Sequence, residues 1–414
     1  MIKNLIYLLS SLIIFIGCNK APENESLSDE QLRVLANELA QKFIITDGHI
    51  DLPERLDEEG YLGTDSLPDI ANRTATGDFD YVRAKTGGLD APFMSIYIPS
   101  SLQVTSGAKE YADSLINIVE KVVAKFPAHF DIAKTPGEAE EIIDIGKISL
   151  PMGMENGAAI GEDLSNIAYF KNRGISYITL THATDNQICD SSYDTTTDTW
   201  NGLSEFGEQV VKEMNRLGIM VDISHVSDSA FYDVMALTDV PAIASHSSCR
   251  YFTPGWERNM NDDMIKILAE KGGVIMISFG STFLDMNSKK TFAKIDSMVK
   301  EFMKDTTLVK NDPRISEYNK KLKVELNAYT TVERLADHFD HAVKIAGIDH
   351  VGIGSDFEGV GDSLPEGMKD VSQYPNLIYE LLKRGYSEED IEKICYKNLW
   401  RVWNEVLEAI DIKS

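Results

Sequence analysis

The sequence predicts an α/β protein, a (β/α)8 TIM-like barrel, on three observations. Short apolar runs alternate with longer amphipathic segments along the chain, the order that builds a parallel sheet covered by helices. There are eight such runs, the number that closes a barrel of this kind. Six of the eight carry histidine, aspartate or glutamate at or next to the end, so the same rim of the barrel receives all of these side chains.

The chain has 414 residues, with 40 Lys+Arg against 66 Asp+Glu for a net charge of −26, and 43% of it is apolar. That is ample material for a core. The acidic balance argues against nucleic acid as a partner, because phosphate recognition needs basic patches, and against electrostatic docking on anionic lipid.

Taken in order, the chain opens with one cation, Lys3, and an apolar run from Leu5 to Ile16. That run is shorter than the roughly 20 residues a membrane span needs and suits a signal peptide. It ends in Phe15-Ile-Gly-Cys18, which resembles a bacterial lipobox. Residues 1–18 are therefore expected to be a lipoprotein signal peptide ending at a lipidated Cys18, placing the chain outside the cytoplasm on a lipid anchor. Residues 19–28 (NKAPENESLS) read as a polar tether. Residues 29–414 are expected to form one catalytic barrel domain.

The expected strands are Lys42–His49, Phe93–Tyr97, Ile148–Glu155, Ser176–His182, Ile219–His225, Pro241–Ser247, Gly273–Phe279 and His350–Asp356. In Leu203–Leu217, the residues Leu203, Phe206, Val210, Met214 and Leu217 recur at spacings of three and four, giving a helix with one apolar face. Val332–Ala346 repeats the pattern through Leu335, Phe339 and Val343. The charged stretch at about 281–330 is expected to be a surface excursion with its own helix. Beyond Cys18, the cysteines Cys189, Cys249 and Cys395 match no zinc-knuckle or CxxC spacing. A Cys189–Cys249 disulfide is chemically open outside the cytoplasm but is not fixed by sequence.

The strand ends carry the chemistry. His49 and Asp51 close the first, Glu155 the third, His182 the fourth, His225 the fifth, His246 the sixth and Asp356 the eighth. Imidazole and carboxylate are the usual ligands of zinc where thiols are not used. His49, Asp51, Glu155, His225 and His246 exceed the needs of one catalytic zinc, which takes three protein ligands and keeps an open position. Sharing one carboxylate between two ions resolves the excess, and Glu155 stands alone on the middle strand of the set. Two ions roughly 3.5–4 Å apart hold a water and bring its pKa towards about 7. His182 and Asp356 are then left to polarise a carbonyl and move a proton. Asp47 reads as a supporting carboxylate. Asp222 lies at opposite strand parity to His225 and should point away from the pocket. His338 and His341 read as structural.

Six segments, Asp47–Pro53 (DGHIDLP), Met154–Gly157 (MENG), Asp222–Ser227 (DISHVS), Ser245–Ser248 (SHSS), Arg258–Asp262 (RNMND) and Gly352–Gly359 (GIGSDFEG), together resemble the membrane (renal) dipeptidase family of zinc peptidases. The resemblance runs from about Thr46 to about Trp403. It implies an amidohydrolase-like metal site at the C-terminal rim, with two Zn2+ per chain bridged by Glu155 and a water or hydroxide. His49 and Asp51 then bind one ion, and His225 and His246 the other. His182 matches the family histidine that contacts substrate and stabilises the tetrahedral intermediate, Arg258 the residue that binds the substrate's C-terminal carboxylate, and Asp356 the proton-handling aspartate.

The expected activity is dipeptide hydrolysis by the metal-bridged hydroxide, with C-terminal D-residues within the scope the resemblance allows. Other metal-dependent amidohydrolases acting on N-acyl amino acids are the rival. They usually carry His-x-His on strand one, where this chain has His49-x-Asp51. A non-catalytic solute-binding lipoprotein is a second alternative. A homodimer is left open. Ile50, Pro92, Asn156 and Asn261 depart from the family pattern, the first three beside the expected pocket.

Overall fold

A computed structural model describes residues 27–194, 199–305, 307–309 and 312–413. The signal peptide, Cys18 and most of the tether lie outside the described residues. Eight strands form one sheet, β1 (Ile45–Ile50), β2 (Leu89–Tyr97), β3 (Met152–Glu155), β4 (Ile175–Thr179), β5 (Met220–Asp222), β6 (Ile243–Ala244), β7 (Val274–Ile277) and β8 (Val351–Ile353). They lie side by side in chain order and every pairing is parallel. The last strand returns to the first: Asp356 N–H donates to His49 O at 3.1 Å and Asp51 N–H to Phe357 O at 3.0 Å. This is the TIM-like barrel the alternating pattern predicts.

Several boundaries differ from the sequence reading. Lys42 ends a helix, Asp29–Lys42, rather than starting β1. The third expected strand breaks at Leu150-Pro151. Its first part, Ile148–Ser149, pairs with Phe130–Asp131 in a separate two-stranded ribbon, and only Met152–Glu155 enters the barrel. Proline has no N–H to continue a ladder, and Pro151 serves as an acceptor for Met94 N–H at 2.7 Å. Strands β5 and β8 stop three residues before His225 and Asp356. Both residues take positive φ, 70° and 66°, which ends an extended run.

The helices Glu205–Leu217 and Val332–Ala346 form as the periodicity requires, the first capped by Ser204 accepting from Gly207 N–H. Residues 281–330 carry the helices Ser281–Leu284, Met286–Phe302 and Pro313–Glu325, with a small core of Ile295, Leu322 and Ala328. The helix Asn398–Lys413 covers the N-terminal ends of the strands. Trp400 Nε1 bonds Thr46 at 2.8 Å, and Asn398 reaches Val351 O at 2.8 Å. Trp403 is buried against Phe93. One end of the barrel is thus filled, and the other is free to carry a site.

Cys189, Cys249 and Cys395 are buried free thiols. No helix among the described residues is long and apolar enough to cross a membrane.

Candidate metal centre

Each of the rim residues is delivered by the end of a strand. His49 lies on β1 and Glu155 is the last residue of β3. Asp51 sits at the N-cap position of the helix Leu52–Glu58, which starts with Pro53 in its first turn. His182, His225, His246 and Asp356 occupy the first turns beyond β4, β5, β6 and β8. For His225 and Asp356 the backbone is held in the left-handed region, a conformation that costs of order 1–3 kcal/mol for a non-glycine residue and clusters at functional sites. Hydrogen bonds from Ser192 N–H to His225 O at 2.8 Å and from Asp356 N–H to His49 O hold these turns. Gly359 leaves the room that the carboxylates use. A Cβ there would stand 2.2 Å from Asp51 Oδ2 and 2.5 Å from Asp356 Oδ1.

The carboxylate of Glu155 faces two ways. Its Oε2 lies 3.5 Å from His49 Nε2, which is itself 3.4 Å from Asp51 Oδ2. Its Oε1 lies 3.1 Å from His225 Nε2, 3.2 Å from His246 Nε2 and 3.6 Å from His182 Nε2. The two histidine nitrogens of the second group are 2.8 Å apart. Ligands on one tetrahedral zinc, bonded at 2.0–2.1 Å, stand about 3.3 Å from each other, so both groups have the spacing of a metal's donors. Asp356 belongs to the same region, its carboxylate grouping with His49 and Asp51.

One of these donor atoms, and further polar atoms of the same side chains, make no hydrogen bond. His49 Nε2, Asp51 Oδ1, His182 Nδ1 and His225 Nδ1 are buried without a hydrogen-bond partner among the described residues, where buried polar atoms are normally paired. Charge points the same way. The cavity above the site, about 440 Å3, is lined by six carboxyl side chains (Asp51, Glu54, Glu155, Asp296, Asp356 and Asp362) against two cationic ones, Arg258 and Lys323.

The proton distribution reflects that imbalance. Burial opposes ionisation of Glu155, yet the charges of His49 and His182 and the close approach of His225 and His246 hold it well below the carboxylate range. Burial and then the charge of Arg258 keep His225 neutral, and burial keeps His246 neutral. Neutral imidazole is the form that binds a metal; His49, which burial lowers but Tyr177, Asp51 and Glu155 hold well above its ordinary value, would give up its proton on binding one. Burial pushes Asp356 well above its ordinary value, with Asp51 and Glu155 adding to the rise and His49 opposing it. Burial and the charges of Asp51 and Glu155 push Glu54 up to about 9.

Arg258 is buried at the edge of the second donor group. Its Nη2 donates to His246 O at 2.8 Å and lies 3.0 Å from His225 Nε2, while Nη1 donates to Ser247 Oγ at 3.1 Å. Its Nε has no partner. His182 is the most open of the histidines, with 20% of its side chain exposed, and packs edge-on against Tyr97.

Asp222 does not line the cavity, but it is not remote from the donors. It accepts from Ser245 Oγ at 2.6 Å, and Ser245 Oγ contacts His246 Nδ1 at 2.7 Å. Parity placed its side chain off the pocket without revealing this link. Asp47 accepts from the backbone N–H of His49 and Ser355, at 3.0 and 2.9 Å, and so ties β1 to the turn after β8.

Ile50, Pro92 and Asn156 do not themselves line the cavity, although Ile50 and Asn156 directly adjoin the donors Asp51 and Glu155 in the chain. Ile50 is core. Asn156 takes φ 80°, a conformation favouring glycine and tolerated by asparagine, and its amide bonds Ile98 O and Gln103. Asn261 caps the helix Asp262–Glu270. The walls come instead from residues the sequence did not single out. They are Glu54, Tyr97 and Tyr193, together with Phe292, Asn319 and Lys323 of the 281–330 segment.

The model of the family described as membrane dipeptidase (peptidase family M19) matches residues 33–412. The chain also resembles solved structures. A probable dipeptidase, PvdM, from Pseudomonas aeruginosa is 29% identical over 92% of this chain and 99% of its own, with a TM-score of 0.77. A dipeptidase of the M19 family is 27% identical over 88% and 98%, with a TM-score of 0.70. A metallopeptidase from Rhodobacter sphaeroides, bound to a phosphinate mimic of the dipeptide L-Ala-D-Ala, is 25% identical over 88% and 99%, with a TM-score of 0.70.

Proposed function

The chain belongs to the membrane dipeptidase family of metallopeptidases, and on that premise we propose that it is a binuclear zinc dipeptidase acting outside the cytoplasm. One observation carries the reading: the two oxygens of Glu155 face different donors, Oε2 towards His49 and beyond it Asp51, Oε1 towards His225 and His246, with His49 and His246 themselves in ring contact. A single carboxylate so placed is a bridge, and imidazole with carboxylate and no thiol is a donor set zinc accepts. Two such ions supply Lewis acidity, lowering the pKa of a shared water towards about 7 and polarising the scissile carbonyl.

The side chains around the donors divide the remaining work. Arg258 takes the C-terminal carboxylate of the dipeptide, for which a planar guanidinium with a free Nε–H is suited. Glu54 lies three residues beyond Asp51 and lines the cavity. Its carboxyl, pushed up to about 9 by burial and by Asp51 and Glu155, is the group that an incoming α-ammonium would ionise and pair with. His182 donates to the carbonyl oxygen as negative charge gathers there. Asp356 takes the proton from the attacking water and passes it to the leaving amine, which needs a carboxyl group beside the donors and free of them. The substrates are dipeptides with a free amino terminus, including those with a D-residue at the C-terminal side. The mature chain is held at a bacterial membrane by lipid on Cys18.

The test is a substrate panel run with wild type and Asp356→Asn. Wild type should hydrolyse L-Ala-L-Ala and L-Ala-D-Ala and leave N-acetyl amino acids and N-acetyl dipeptides intact. Asp356→Asn should keep the zinc content of wild type and lose about 10²–10⁴ in kcat, the range of a general acid–base group. Preference for N-acyl amino acids would assign the chain to the rival amidohydrolases. Loss of zinc from Asp356→Asn would make that residue a ligand.

A further inference from the structure

The two donor groups are steered from behind by separate hydrogen-bond chains, and one begins at a residue in the barrel core. Tyr177 lies on β4 with its ring buried against Phe93, centroids 5.6 Å apart. Its hydroxyl stands 2.9 Å from Gly48 O and 2.9 Å from His49 Nδ1. A carbonyl oxygen can only accept, so the phenol proton goes to Gly48 O and the phenol oxygen accepts from His49 Nδ1–H. In the neutral imidazole that a metal requires, that pairing fixes the tautomer. It leaves the Nε2 lone pair, which is buried and otherwise unpartnered, aimed at Asp51 and Glu155.

The barrel makes room for this arrangement at Gly153 on β3, where a Cβ would stand 1.9 Å from Tyr177 Cζ. The other group has its own chain. Asp222 accepts from Ser245 Oγ, which leaves that oxygen to accept from His246 Nδ1–H and frees Nε2 towards Glu155.

We propose that Tyr177 is a positioning residue dedicated to the ion held by His49 and Asp51, so that the two ions of the site are tuned separately from the two sides of the barrel. The proposal rests on the binuclear reading above. Outer hydrogen bonds to a metal-bound histidine fix its ring and raise its basicity, and losing one typically costs about 10–100-fold in metal affinity.

The experiment measures zinc retained against graded chelator in full-length Tyr177→Phe, which keeps the ring, and in Tyr177→Leu should the first fail to fold. Tyr177→Phe should bind one ion as wild type does and the other about 10–100-fold more weakly. In a His225→Ala background Tyr177→Phe should weaken the remaining ion, and in a His49→Ala background it should leave the remaining ion unchanged. Equal weakening in both backgrounds, or none in the first, overturns the proposal. Wild type holding fewer than two ions would instead overturn the binuclear reading, which separates the two failures.

Discussion

At the scale of single residues, the groups that chemistry demands were legible and those that support them were not. His49, Asp51, Glu155, His225 and His246 announce themselves because metal-binding side chains recur at the ends of strands, and the structure brings their donor atoms together. Glu54 follows Pro53 in an ordinary amphipathic segment and reads as a solvated helix carboxylate. Tyr177 reads as a strand aromatic. Neither has a spacing that separates it from background, and each acquires its place only when β1, β3 and β4 are neighbours.

His338, read as structural, shows what a buried neutral histidine does to stability. Its Nδ1 accepts from Cys249 N–H at 3.1 Å and its Nε2–H donates to Leu284 O at 2.9 Å. Burial pulls its pKa down to about 3 from 6.5. The unfolded chain therefore takes up a proton that the folded chain refuses between those values. The stability is complete above pH 6.5 and is lost as pH falls through that window, by about 1.4 kcal/mol per unit where the difference is a full proton. His338→Gln can keep both hydrogen bonds without titrating. Its denaturant-unfolding free energy should fall less steeply from pH 6 to pH 5, by about 1 kcal/mol. Parallel curves for variant and wild type would show that His338 is not the group responsible.

At the scale of elements, alternation of apolar runs and amphipathic segments located all eight strands, while their ends were misjudged wherever a loop begins with an unusual backbone. The turns that aim His225 and Asp356 use positive φ on residues other than glycine, which no local pattern marks. Pro151, by contrast, was a readable signal. A proline inside an apolar run argues against one continuous strand, and the run is divided there. The 281–330 segment was legible as an insertion by its charge and length. That its helices Met286–Phe302 and Pro313–Glu325 wall the cavity follows from contacts remote in sequence, among them Lys323 donating to the carbonyl oxygen of Asp362 at 3.0 Å, 39 residues away.

At the scale of the whole molecule, a barrel plugged at one end by the helix Asn398–Lys413 leaves one rim for chemistry, and carboxyl side chains outnumber cationic ones there. The lipid anchor adds a separate expectation. Full-length protein should partition with the membrane fraction, and Cys18→Ser should move it to the soluble fraction or leave an unprocessed precursor. A Cys18→Ser protein that is processed and retained like wild type would rule out the anchor. The claim on which all else depends is the bridge, and its most direct measurement is the zinc content of purified wild type and Glu155→Gln by elemental analysis. Wild type should hold two ions per chain and Glu155→Gln should lose them, because both donor groups share that carboxylate. Two ions retained in Glu155→Gln, or a single ion in wild type, would contradict the account.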